Sequence, residues 1–287
     1  MIRVFAPAKI NLTLQVGRPR ADGRHPLASV VAFADVGDWV SATAADDVSL
    51  TLTGPFARSL AQENDNLVLR AAQALRAATG ASRGAALKLE KNLPLASGMG
   101  GGSSDAAAAL KALNALWQLG LAEVALADIA RTLGADAPVC VHARAAYMTG
   151  AGEIITPIAL PVLSAVLVNP LMPIATAAVF REFDRMGLGA GFQAAPAPAW
   201  STLAAVRAGA GALGNDLLAP ARALSPALGE VERALRADVR ALYVGLSGSG
   251  ATKYALVQDA DAAAALASEL ANAHTLWWVR ACRIGAP

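Results

Sequence analysis

The sequence predicts an α+β protein built in two halves, and three features carry that prediction. Strand-like and helical segments alternate along its 287 residues. A strand, a glycine loop and a long helix follow one another in the first half. A second glycine-serine loop, Ser247-Gly-Ser-Gly250, sits between two strand-like runs in the second half, as if two halves met one ligand.

Composition sets the outer bounds. The length suffices for one large domain or two ordinary ones with proper cores. Hydrophobic residues make up 55% and charged residues 16%, a globular balance in which alanine supplies much of the apolar count. A formal charge of +2 with scattered arginines does not point to nucleic acid. Cys140 and Cys282 are too few and too far apart for a disulfide framework or a zinc site, so a reducing cytoplasm is the expected setting. No signal-peptide core is expected at the N-terminus. The uncharged run 154–180 is interrupted by Pro157, Pro161, Pro170 and Pro173, which excludes a spanning helix, so no membrane segment is expected.

Taken in order, Val4–Ala6 and Ile10–Val16 read as strands around Pro7-Ala-Lys9, the second with Asn11, Thr13 and Gln15 on a polar face. By itself Lys9 reads as a solvated cation. A turn-rich stretch from Arg18 to Arg24 leads to His25, which is either structural or catalytic, and to a strand at Ala28–Phe33. Asp46-Asp47 opens an expected hairpin, with Val48, Leu50 and Leu52 on one strand face. Asn64-Asp-Asn66 signals the start of a helix over Leu67–Thr79, and Gly80 stops it. A strand at Ala86–Glu90, a helix through Leu116 and a helix at Glu123–Leu133 follow. Asp136, beside Pro138, is either a turn or helix-terminus acceptor or a general base with a tuned pKa. Gly150-Ala-Gly152 marks a turn and the expected boundary between domains 1–152 and 153–287. Beyond it come a strand at Val162–Val168, a helix near Ala175–Met186 and a connector at Gly187–Pro198. Asn215-Asp-Leu217 opens a helical region, and a helix spans Pro226–Ala237. Strands at Ala241–Leu246 and Thr252–Val257, a helix at Asp261–Ala273 and a strand at Leu276–Ile284 complete an α+β pattern.

The central stretch is Asn92-Leu-Pro-Leu-Ala-Ser-Gly-Met-Gly-Gly-Gly-Ser-Ser-Asp-Ala106. Glycines admit close backbone approach, and a helix N-terminus presents unpaired N–H groups at the positive end of its dipole. Together these make an anion site, most often for phosphate; the alternative is a flexible loop that only caps a helix. Ser103 or Ser104 is a candidate cap and hydroxyl donor. The stretch is not a Walker A loop, since no Gly-Lys-Ser/Thr closes it. Nor is it G-x-G-x-x-G, because position 103 is serine.

Three motifs in order, Pro7-Ala-Lys-Ile-Asn-Leu12, Pro94-Leu-Ala-Ser-Gly-Met-Gly-Gly-Gly-Ser-Ser-Asp105 and Leu246-Ser-Gly-Ser-Gly-Ala-Thr252, resemble those of the GHMP kinase superfamily over nearly the whole chain. Ala8-Lys9-Ile-Asn11, Asp22-Gly23 before His25 and the triple glycine before Ser103-Ser104-Asp105 match best its branch acting on a cytidine-diphosphate-linked methylerythritol, and Leu133-Gly-Ala-Asp-Ala-Pro138 and Asn215-Asp-Leu217 also agree. The resemblance implies a two-domain GHMP kinase fold. Its first half would be an α/β domain with a left-handed-crossover-type sheet, its second half ferredoxin-like, with the active site in the cleft between domains. It further implies ATP-dependent phosphorylation of the substrate's 2-hydroxyl in non-mevalonate isoprenoid synthesis, with magnesium accompanying ATP through ligands the motifs do not name. Lys9 and Asp136 map onto the catalytic pair. Asn66, Pro94, Leu95, Ala96, Ser97, Gly98, Met99, Gly100, Gly101, Gly102, Ser103 and Ser104 map onto the ATP site. Asn11, Arg24, His25, Thr176, Phe180, Gly248 and Ser249 map onto the substrate side, with His25 reading the cytosine edge. Phe180 either stacks on cytosine or is a core aromatic. Where the family usually carries tyrosine before the histidine, this chain has Arg24, whose guanidinium can also stack on a flat ring. The rival readings are another GHMP small-molecule kinase, acting on homoserine, mevalonate or a sugar, and a non-catalytic nucleotide-binding module. A small-molecule substrate and a monomer or homodimer are expected.

Overall fold

Strand β1 (Ile2–Asn11) runs unbroken through Pro7-Ala8-Lys9, where the sequence pattern predicted a gap between two strands. The computed structural model, which describes residues 1–61 and 65–285, pairs β1 with β3 alone among the described strands. A proline, lacking an N–H, is tolerated on such a singly paired strand. After the short β2 (Gln15–Val16) comes β3 (Leu27–Thr43), 17 residues long and far beyond the expected Ala28–Phe33. Two units divide the chain, interleaved in sequence. The first holds Met1–Lys9, Gly37–Leu95 and Gly100–Ala143; the second holds Ile10–Val36, Ala96–Met99 and the chain from Arg144 onward.

In the first unit β3 leads through a turn to β4 (Val48–Thr53), then α1 (Ala57–Leu60), α2 (Leu67–Thr79) and β5 (Ala85–Glu90). The expected hairpin after Asp46-Asp47 does not form. β5 lies between the two strands, antiparallel to β3 (Val40 opposite Leu89) and parallel to β4 (Leu50 opposite Leu87). The physical reason is burial. Leu87 and Leu89 are almost wholly buried and need a partner on each side, whereas the half-exposed β4 suits an edge. Helix α2 begins and ends where its caps predict: Asn66 Oδ1 accepts from the Val68 N–H at 2.9 Å, and Gly80 closes it with φ 70°. Asn64 lies outside the described residues.

Helix α3 (Gly101–Leu116) packs against α2 and against neighbours on its other faces, and its run Ala106–Ala109 is buried all round, small side chains allowing a close approach. Its start corrects the sequence reading. The N-cap position is Gly100, with no side-chain cap, so Ser103 and Ser104 lie inside the first turn. Helices α4 (Glu123–Ala130) and α5 (Ala137–His142) complete this unit. Asp136 is the N-cap residue of α5 but its side chain does not cap it.

In the second unit Gly150-Ala-Gly152 is the turn of a hairpin between β6 (Ala146–Thr149) and β7 (Ile154–Pro157). Then follow β8 (Leu163–Asn169), α6 (Thr176–Arg185), α7 (Leu203–Leu213), α8 (Leu218–Leu224), α9 (Ala227–Arg236), β9 (Tyr243–Leu246), β10 (Lys253–Val257), α10 (Ala260–Ala273) and β11 (Trp278–Ile284). Helix α7 was not expected, although its cap was readable: Thr202 Oγ1 accepts from the Ala205 N–H. The strand order β11-β8-β10-β9, each pair antiparallel, is the ferredoxin-like arrangement anticipated for the second half. Val166, Val168, Ala255, Val257 and Val279 of these strands bury against Val231 and Leu235 of α9 and Leu266 and Leu270 of α10.

Candidate active site

In the first unit, β1 carries Lys9 and the residue before α5 is Asp136. The Lys9 ammonium donates to Asp136 Oδ2 at 2.6 Å across 127 residues of sequence. The lysine side chain is 5% exposed and the aspartate 40%, so a buried cation holds a carboxylate that solutes can reach. Local pattern favoured a solvated lysine; tertiary structure overrides it, because the start of α3 lies against the Lys9 side chain and an anion beside a buried cation makes its burial tolerable. Next to the pair lies the start of α3. Gly100 has φ 61°, and a Cβ there would come within 3.2 Å of Lys9 Cε. The N–H groups of Gly101, Gly102 and Ser103, in the first turn of α3, have no partner within the helix, as at any helix start. Ser104 donates its hydroxyl to the Pro7 carbonyl at 2.7 Å, which leaves the half-buried Ser103 as the freer hydroxyl. Gly102 faces Leu67, the residue after Asn66, so that ATP-site candidate neighbours the loop. Cys140 lies one turn beyond Asp136. Burial and the negative charge of Asp136 push its thiol up to about 12, so it is no nucleophile.

The second unit holds the other candidates. Ser97 and Met99 are buried, and the Ser97 carbonyl accepts from the Thr252 N–H. Ser247 links two motifs: its Oγ donates to the Gly98 carbonyl at 2.8 Å and accepts from the Asn11 N–H at 3.2 Å. Asn11 Nδ2 donates to Ser29 Oγ at 2.8 Å, while its buried Oδ1 has no partner among the described atoms. Gly248 lies close to both Gly98 and Asn11. Thr176 Oγ1 and Ser249 Oγ share a hydrogen bond at 2.9 Å. His25 Nδ1 meets the Gly17 carbonyl at 2.9 Å, Nε2 lies 3.5 Å from Asp184, and the ring packs on Phe180 with centroids 4.9 Å apart. Phe180 is half-buried against the cluster of Leu14, Val179 and Phe183, so part of its surface belongs to the core. Arg24 is exposed, its backbone N–H bonded to Asp22 Oδ1.

Two family models match the chain: the GHMP kinases N terminal domain over residues 66–144 and the GHMP kinases C terminal model over residues 200–275. A protein of Parvibaculum lavamentivorans named 4-diphosphocytidyl-2-C-methyl-D-erythritol kinase is 49% identical over 98% of this chain and 97% of its own. One of the same name from Caulobacter vibrioides is 44% identical over 99% of each. The chain belongs to the 4-diphosphocytidyl-2-C-methyl-D-erythritol kinases of the GHMP kinase family. A crystal structure titled 4-(cytidine 5'-diphospho)-2C-methyl-D-erythritol kinase superposes with a TM-score of 0.80 at 33% identity, covering 100% of both chains. The crystal structure of L. major mevalonate kinase superposes with a TM-score of 0.74 at 16% identity over 99% of this chain and 96% of its own, a likeness of fold alone.

In this GHMP kinase three groups near the candidates escaped the sequence reading as site residues. Ser247 was passed over inside its glycine motif. Asn215, noted only as part of a motif, donates through Nδ2 to the Leu246 and Gly248 carbonyls and so holds the second glycine loop. Asp38 and Lys91, a buried pair, carried no local signal at all.

Proposed function

We infer that this kinase transfers the γ-phosphoryl group of ATP to the 2-hydroxyl of 4-diphosphocytidyl-2-C-methyl-D-erythritol, a step toward isoprenoid precursors. The observation that carries the mechanism is the 2.6 Å Lys9–Asp136 pair beside the left-handed Gly100 turn. Asp136 takes the hydroxyl proton as its oxygen attacks the γ-phosphorus, and the bridging oxygen leaves with ADP. Lys9, 2.6 Å from Asp136 Oδ2, orients that carboxylate and offsets charge gathering on the transferring group. Little else is needed, since phosphoryl transfer depends chiefly on position and charge. Gly98–Ser104 receive the phosphates through backbone N–H groups and Asn66 sits by the adenine. Asn11, Arg24, His25, Thr176, Phe180, Gly248 and Ser249 receive the alcohol and its cytidine. Magnesium belongs to the same proposal, arriving on the phosphates, since the described residues contain no cluster of three His, Cys, Asp or Glu side chains that could hold a metal.

The domain division at 152/153 is likewise proposed, with one family model on each side of it. So are a cytoplasmic setting and a monomer or homodimer; no described helix is long and apolar enough to cross a membrane.

The test is ADP release from ATP and magnesium with 4-diphosphocytidyl-2-C-methyl-D-erythritol, homoserine, mevalonate or galactose as acceptor. Turnover with the cytidine compound alone is expected; turnover with another alcohol in its place would overturn the substrate. Arg24→Tyr is expected to lower KM for the cytidine substrate about threefold or more, an aromatic face stacking better than a solvated guanidinium. An unchanged KM would remove residue 24 from base binding.

A further inference from the structure

Beneath the start of α3 lies a cluster of charges that the mechanism does not use. Lys91, just past β5, donates to Asp38 Oδ2 of β3 and to Asp105 Oδ2 of α3, each at 2.6 Å, and all three side chains are at most 3% exposed. Asp38 Oδ1 also accepts from the backbone N–H groups of Asn92 and Leu93, at 2.5 and 2.8 Å, where the glycine stretch begins. A Cβ on Gly101 would sit 3.0 Å from Lys91 Nζ, so the ammonium lies directly under the first residue of the helix. The cluster thus touches the stretch at its entrance, at Gly101 and at Asp105.

The charges do not balance if every group ionises. One ammonium faces two carboxylates away from water, and a surplus buried charge is strongly unfavourable. Geometry singles out where a proton resides. Asp38 has both oxygens bonded, whereas Asp105 Oδ1 has no partner among the described atoms. A bare buried oxygen is much less costly on a neutral carboxyl than on a carboxylate. Two of the three N–H donors of the buried Lys91 ammonium go to acids, so it is held in the cluster rather than extended as the phosphate-binding lysine the loop lacks.

We propose that Asp38, Lys91 and Asp105 form a buried anchor that positions the Gly100–Ser104 turn for ATP, and that the turn binds ATP best while Asp105 carries a proton. The positioning role rests on the nucleotide reading of that turn given above. Burial supports the neutral form by pushing Asp105 up to about 7 against the opposing pull of Lys91, with Asp38 adding to the rise. Burial would lower Lys91, but Asp105 and Asp38 hold it above its ordinary value and it stays an ammonium. Cys140 on α5 also senses Asp105 and is itself protonated at neutral pH. Deprotonation of Asp105 therefore adds an uncompensated negative charge under an anion-binding turn, and ATP binding weakens as pH rises.

The experiment compares the full-length wild type with Asp105→Asn, which copies the shape of a neutral acid. In the wild type KM for ATP is expected to rise about threefold or more from about pH 6 to about pH 8.5, with KM for the alcohol steady. In Asp105→Asn it should stay flat, within about twofold of the wild-type value at low pH. Lys91→Met should raise KM for ATP about tenfold while leaving KM for the alcohol unchanged. A second readout needs no activity. A carboxyl raised in the folded state stabilises the fold below its unfolded pKa and loses that contribution as pH climbs to about 7. The melting temperature of Asp105→Asn relative to wild type should therefore increase by about 3 °C or more between about pH 5 and about pH 8. A constant difference, or a wild-type pH profile in Asp105→Asn, overturns the anchor. The melting-temperature shift with no ATP turnover by the wild type would instead overturn the proposed function and retain the neutral Asp105.

Discussion

Asp136→Asn is expected to lower kcat about 10³-fold, within the range for loss of a general base, while ATP affinity measured by calorimetry changes less than about threefold. The substitution keeps the side-chain shape and its contact distance to Lys9, but an amide cannot take the alcohol's proton. It also removes the negative charge 2.6 Å from the 5%-exposed Lys9. Some loss of stability should accompany the kinetic effect, since removing one partner of a buried pair strands the other. The half-exposure of Asp136 makes this smaller than the several kcal/mol of a fully buried pair. Activity within about tenfold of wild type would remove Asp136 from proton transfer.

Gly98→Ala is expected to be nearly as damaging, by another route. Gly98 has φ 76°, and a methyl there would lie 2.3 Å from the Ser247 carbonyl oxygen and 2.7 Å from that of Gly250. Backbone atoms cannot swing aside as a flexible side chain does. The Ser247 hydroxyl bond to the Gly98 carbonyl would be lost with the displacement. We expect kcat/KM to fall about 100-fold or more and the melting temperature to drop by several degrees, a strain of about 1–3 kcal/mol being typical at such a position. Wild-type kinetics would mean that the two glycine loops need not touch.

What the sequence made legible was local. Helix α2 carried its own signals in Asn66, a 3.6-residue apolar period and Gly80, and its bounds match. The glycine stretch announced a strand, a turn and a helix because its residues act on their own backbone. Pairings set by distant chain were not legible. Nothing near Asp46-Asp47 tells that β5 will occupy the place beside β4, since that depends on how deeply Leu87 and Leu89 are buried. Glu90-Lys91-Asn92 looks like a solvated strand end, yet its lysine is buried between Asp38 and Asp105, 53 and 14 residues away. Lys9 and Asp136 were joined by resemblance to a family, not by spacing. For His25 the structure adds partners that no pattern contained: the Gly17 carbonyl, Asp184 and the Phe180 ring.

The separation of Lys9 from Asp136, 127 residues, also bears on how the protein comes off the ribosome. Strand β1 is made before either of two partners of its residues: Asp136 for Lys9, and Ser247 for the Asn11 N–H, 236 residues later. At about 5–20 residues per second, Lys9 waits roughly 6–25 seconds for its carboxylate. A nascent chain that has reached Ala106 holds the whole glycine stretch but no base. The phosphate loop is therefore in place before the group that would take the proton.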